Sequence, residues 1–189
     1  MAQDNRPWIR MMLGMLFSFI IAGAAQAGYG LVAGSANLWG SVFQIAVIAA
    51  VFGFLLVAFR ERGILYVLIS CIVVAVLAGL FGRFQMSIII VMLIILGLEF
   101  VGLFFLILGD FLGKSSAILR ALSSMIGGVF AGAIIFGFIG LLLPATGFFN
   151  GILSGLPYII EISFGVSLGA FFTRITFGER QPKIKVKES

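Results

Sequence analysis

Histidine is absent from this chain. The commonest side-chain ligand for transition metals, and the usual acid–base group near neutral pH, is therefore missing. Cysteine occurs once, as Cys71, so no intramolecular disulfide can form, and a lone thiol inside an apolar run reads as a small apolar filler. Charge is scarce: 10% of residues are Asp, Glu, Lys or Arg, against about 25% in soluble domains. No P-loop, GxSxG, HExxH or paired CxxC occurs. Catalysis requires a positioned nucleophile, base and orienting group, and the apolar segments hold too few polar residues to supply them. The sequence therefore predicts no enzyme, no catalytic residue, no cofactor and no metal site.

What is present is apolar. Hydrophobic residues make up 62% of the 189, with 21 Phe and 25 Gly. A chain of this balance has too little polar surface to cover its own core, so the lipid bilayer must cover it. Apolar runs of about 20 residues, separated by short polar breaks, mark spanning helices. Six are expected, at 11–33, 41–59, 63–83, 86–109, 119–143 and 152–173. A β-barrel is excluded because the runs lack in/out alternation. The expected fold is an all-α membrane protein, a compact bundle of about six transmembrane helices. A cytoplasmic N-terminus (1–10) and a basic cytoplasmic tail (174–189) flank one helical domain (11–173).

The basic residues give the orientation. Arg6 and Arg10 precede the first span, Arg60 and Arg62 join the second and third, and Lys114 and Arg120 join the fourth and fifth. Arg174, Arg180, Lys183, Lys185 and Lys187 follow the sixth, so of twelve basic residues only Arg83 lies on the other side. The positive-inside rule makes both termini cytoplasmic. This topology explains the net charge of +5 without nucleic acid. The tail also suits anionic lipid headgroups. The expected location is the plasma (inner) membrane of a bacterial cell.

Two motifs compete with this reading. The first 27 residues have a basic start, an apolar stretch and an A-x-A site at Ala25-Gln26-Ala27, as in a cleaved signal peptide, and cleavage would leave five spans. Apolar character continuing to residue 33 favours a retained first span. "LPATG" (143–147) resembles the sortase sorting signal, but a membrane span stands upstream where a secreted domain would be. Pro144 and Gly147 fit a tight outer turn.

Small residues at four-residue spacing carry a packing signal. Gly128 and Gly132 lie on one ridge with Gly140, Gly165 pairs with Gly169, and Ala24 pairs with Gly28. These ridges suit packing among the protein's own helices, or docking of a protein partner or second copy. "LGMLF" (13–17) recurs as "LGLEF" (96–100), a faint echo of inverted three-helix halves.

The remaining feature is a pair of carboxylates inside apolar runs: Glu99 in "LGLEFVGLFF" and Glu161 in "YIIEISFG". An ionised carboxylate at the bilayer centre costs at least about 2.5 kcal/mol. Each must therefore face the bundle interior and hold a proton, a cation or a polar partner. Pro157, four residues before Glu161, removes the hydrogen bond to the Leu153 carbonyl and should bend the helix, adding a polar group beside the carboxylate. Asp110, with Lys114 at i+4, reads as a marginal ion pair.

The expected function is transport, with Glu161, Glu99 and Pro157 forming a mid-membrane site for a cation, proton or small solute. The alternative is a non-catalytic structural or assembly subunit of a larger membrane complex. In size and in six-span, both-ends-inside topology the chain resembles the substrate-binding subunits of energy-coupling-factor vitamin importers, in architecture alone.

Overall fold

The computed structural model describes residues 7–81, 87–142 and 146–177, and of residues 78, 81 and 88 the backbone alone. Arg6, Arg83, the residues of "LPATG" up to 145 and the tail from 178 onward lie outside the described residues. The described chain forms six helices: α1 (Pro7–Val32), α2 (Leu38–Arg62), α3 (Ile64–Phe81), α4 (Ile88–Leu112), α5 (Ala117–Leu142) and α6 (Phe148–Phe177). Helix is the form expected here, because a segment in lipid must satisfy its own backbone hydrogen bonds.

Over the described residues five of these helices are long and apolar enough to cross a membrane, and α3 is apolar over Ile64–Leu77. With 18 residues, α3 reaches about 27 Å, just under a typical hydrocarbon core. The outside of the bundle is apolar: Leu93, Phe104, Phe130 and Leu153 are exposed by 67%, 62%, 60% and 66%. Such a surface is stable against acyl chains, and the chain is a multi-pass membrane protein. Most helices run a few residues beyond the apolar stretches, because polar end residues continue the turns into the interface.

Helices alternate in direction. Gly14 packs on Val57 while Gly30 packs on Leu38, which sets α1 antiparallel to α2. Phe52 meets Gly102 and Arg60 meets Asp110, so α2 and α4 run parallel. Both ends of the described chain therefore lie at one end of the bundle, together with Arg10, Arg60, Arg62, Lys114, Arg120 and Arg174. The link between α2 and α3 is Gly63 alone. Its φ of +83° suits glycine, and its N–H closes α2 by donating to the Phe59 carbonyl at 3.0 Å.

The alternation sets a labelling expectation. In a Cys71→Ser background, an impermeant thiol reagent added to intact cells should label Ser35→Cys and Asn150→Cys. Ser115→Cys should react only after permeabilisation. All three positions are exposed turn or helix-end residues. External labelling at Ser115→Cys would reverse the orientation.

Close packing on α6 follows steps of four or eight residues. Along α1 and α6, Arg10 meets Phe177, Ser18 meets Gly169, Ala22 meets Gly165 and Gln26 meets Glu161. A Cβ on Gly169 would lie 2.7 Å from the Ser18 backbone nitrogen, and one on Gly165 would lie 2.6 Å from the Ala22 Cβ. A second set of steps joins α5 to α6: Gly128 with Ser163, Gly132 with Ile159 and Gly140 with Gly151. Missing side chains thus let backbones approach, which is how membrane helices gain dispersion contacts.

Ala24 and Gly28 take no part in this packing. Both are exposed, and nothing lies within 4 Å of a Cβ placed on Gly28. The buried edge of α1 is Arg10, Gly14, Ser18, Ala22, Gln26 and Gly30. That edge is two positions away from Ala24 and Gly28, and at about 100° per residue two positions reach the far side of the helix. The two halves also pack differently. Among the described residues α6 meets α1, α2 and α5, whereas its counterpart α3 meets α2 and α4 but not α5.

Candidate functional site

Glu161 sits where α1, α2 and α6 converge, and it is 6% exposed. Its partner is Gln26 of α1, itself 2% exposed. Hydrogen-bond logic orients the amide. Its NH2 donates to both Glu161 oxygens, Oε1 at 3.1 Å, while its carbonyl accepts from Ser41 Oγ at 3.2 Å. The Ser41 hydroxyl also lies 2.9 Å from the Leu38 carbonyl, so one proton serves alternative acceptors. The result is a chain of polar groups, Glu161–Gln26–Ser41, drawn from three helices.

This chain lies toward the charge-poor end. Ser41 is three residues from the start of α2 and Gln26 six from the end of α1, about 5 and 9 Å along their axes. The amide supplies hydrogen bonds but no charge. Among the described residues no Lys or Arg forms a salt bridge with Glu161. Neutralisation must come from a proton or a bound cation.

Pro157 lies inside α6, which continues as one helix on both sides of it. On the α1–α6 register Pro157 falls one step beyond Glu161, opposite Gly30. The side-chain donor to Glu161 is Gln26 rather than a group at Pro157. The sequence does not single out Gln26 as a site residue, since it stands there only as the centre of the A-x-A site. The available signal was its spacing of four from Ala22 and eight from Ser18.

Glu99 lies elsewhere. It is 4% exposed in the middle of α4, and the only donor beside it among the described residues is the weak Cys71 thiol of α3, too poorly placed for a regular hydrogen bond. No α4 Cα lies within 8 Å of an α6 Cα among the described residues, so Glu99 and Glu161 do not form one site. Cys71 is buried, but its neighbour is a carboxyl group rather than apolar side chains alone.

The basic end is tied by ion pairs between helices. Arg10 Nη1 lies 3.1 Å from Glu61 Oε1, and Arg10 Nη2 donates to the Phe177 carbonyl at 3.2 Å, joining α1 to α2 and α6. Asp110 pairs with Arg60 of α2 through both carboxylate oxygens, Arg60 Nε donating at 3.2 Å to Oδ2. This corrects the i+4 pairing with Lys114. The guanidinium fork matches a carboxylate bidentately, while the Lys114 ammonium sits 5.9 Å from the Phe111 ring centre.

Comparison with protein-family models, curated proteins and solved structures finds no match to this chain.

Proposed function

We propose that the protein is a small transport component in which Glu161, held by Gln26, takes up a proton or small cation. The observation that carries this reading is a buried carboxylate given hydrogen bonds but no cation by the described residues around it. Such a group is costly in lipid unless it is neutralised, and intramembrane acids of this kind mark proton and ion pathways. Buried hydroxyls support the reading. Ser163, Ser167 and Thr173 are buried and follow Glu161 along α6 toward the basic end; Ser18 of α1 packs on Gly169, while Ser163 lies against Gly128 of α5. No catalytic step enters this function.

The subunit alternative has less to stand on. Gly128, Gly132, Gly140, Gly165 and Gly169 face the protein's own helices, so a partner subunit would need another surface. The test is direct: purified protein in liposomes with an internal pH dye, under an imposed proton or alkali-cation gradient. The expected result is dissipation faster than in protein-free vesicles. Equal rates for protons and every alkali cation would overturn the transport reading and favour a structural subunit.

A further inference from the structure

The polar chain from Glu161 through Gln26 to Ser41 can run in either direction. With Glu161 ionised, its oxygens accept from the Gln26 NH2, and the amide carbonyl accepts from Ser41 Oγ. With the amide turned over, the carbonyl faces Glu161 and the NH2 donates to Ser41 Oγ at 3.2 Å. That second arrangement needs a proton on Glu161, because an amide carbonyl can only accept and the carboxyl must then donate. The Ser41 proton turns to the Leu38 carbonyl at 2.9 Å or the Asn37 carbonyl at 3.2 Å. The Gln26 amide therefore keeps a partner at each end in both states, with no heavy atom leaving its place.

A metal cation fits this setting poorly. Hard cations take about six or more oxygen ligands, and Glu161 with Gln26 offers only their three side-chain oxygens. Helix α6 is unbroken through Glu161, so its own carbonyls there are held in the helix. Other charges stand apart. Among the described residues α6 packs on α1, α2 and α5. Arg10, Arg60, Glu61, Arg62 and Arg120 of those helices, and Arg174 of α6, lie at the basic end, each more than about two helical turns from Glu161. Tyr29 is exposed, and Tyr158 stacks on Phe136 of α5. Given that Glu161 takes up an ion, as proposed above, we propose that the ion is a proton and that the Gln26 amide turns over each time it binds or leaves. Gln26 is thus a positioning residue. No proton passes through the amide, which offers a donor to the carboxylate and an acceptor to the acid.

Infrared difference spectroscopy between acid and alkaline pH tests this on the full chain in liposomes, with isotope-labelled glutamine side-chain carbonyls. A protonated-carboxyl band should rise as pH falls, together with a shift of one glutamine amide band. Glu161→Gln should remove both. Gln26→Met should remove the amide shift and slow proton dissipation about tenfold, since methionine offers the carboxylate no donor. A Glu161 carboxyl band that titrates without an amide shift in the unsubstituted protein would overturn the switch, whether or not Gln26→Met folds. Absence of that carboxyl band at every pH, or its displacement by sodium or potassium at fixed pH, would overturn the proton assignment while leaving a cation site at Glu161. If both bands titrate together in a protein that dissipates no gradient, the switch stands and the transport reading falls.

Discussion

Glu161→Gln is expected to cut gradient dissipation in proteoliposomes by at least about tenfold, the kinetic equivalent of 1.4 kcal/mol, with the protein still folded and inserted. Glutamine keeps the shape of the side chain and can exchange hydrogen bonds with the Gln26 amide across the same seam. It cannot bind or release a proton at neutral pH, and it offers no charge to a cation. If Glu161 only fastens α6 to α1, the opposite pattern holds. Glutamine would then substitute well, and Glu161→Leu would fail because the buried Gln26 amide loses its acceptor, at about 1–3 kcal/mol. Glu99→Gln separates the two carboxylates, since Glu99 lies outside the α1–α2–α6 site. It should retain most of the flux. Full activity of Glu161→Gln, with loss only in Glu161→Leu, would end the ion-handling reading.

Gly169→Leu should lower the melting temperature of the bundle, while Gly97→Leu and Gly28→Leu should behave as the unsubstituted protein does. At Gly169 the new Cβ would meet Ser18 backbone atoms at 2.7 and 2.9 Å, and a backbone cannot rotate away as a side chain can. Overpacking typically costs about 1–3 kcal/mol, and each kcal/mol shifts melting by about 2–4 °C at this size, so a drop of about 2–12 °C is expected. Gly97 and Gly28 have no heavy atom within 4 Å of such a Cβ. Thermal melting in detergent decides between them. Equal tolerance at all three sites would remove the close α1–α6 seam.

The seam also shows what was legible in the sequence. Composition and run length were enough for a helical membrane bundle, because lipid leaves the backbone few alternatives. The two glutamates stood out because an acid in an apolar run is costly anywhere in the fold. The choice of face on α1 was not legible. Ala24 and Gly28 carry the same small-residue spacing as Ser18 and Ala22, and spacing alone does not say which ridge a neighbour covers. Gln26 escaped for a related reason. Its role depends on α6 running antiparallel in one register, a tertiary fact that local composition does not contain. Asp110 had a cation at i+4 and another on α2, and the bidentate fork of Arg60 prevailed over the nearer lysine.

The position of Gln26 and Ser41 near the charge-poor end has an electrical consequence. In the proposed transport cycle, a proton loading Glu161 from that face would cross somewhat under half of the bundle, since Glu161 stands 13 residues from the Phe148 end of α6 and 16 from the Phe177 end. Against about 2.3 kcal/mol per charge for a full crossing at 100 mV, loading would feel about 1 kcal/mol of the membrane voltage. Release toward the basic end would cross the rest. Voltage would therefore act on both halves of such a cycle, and the bundle would behave as two electrical elements in series around one site.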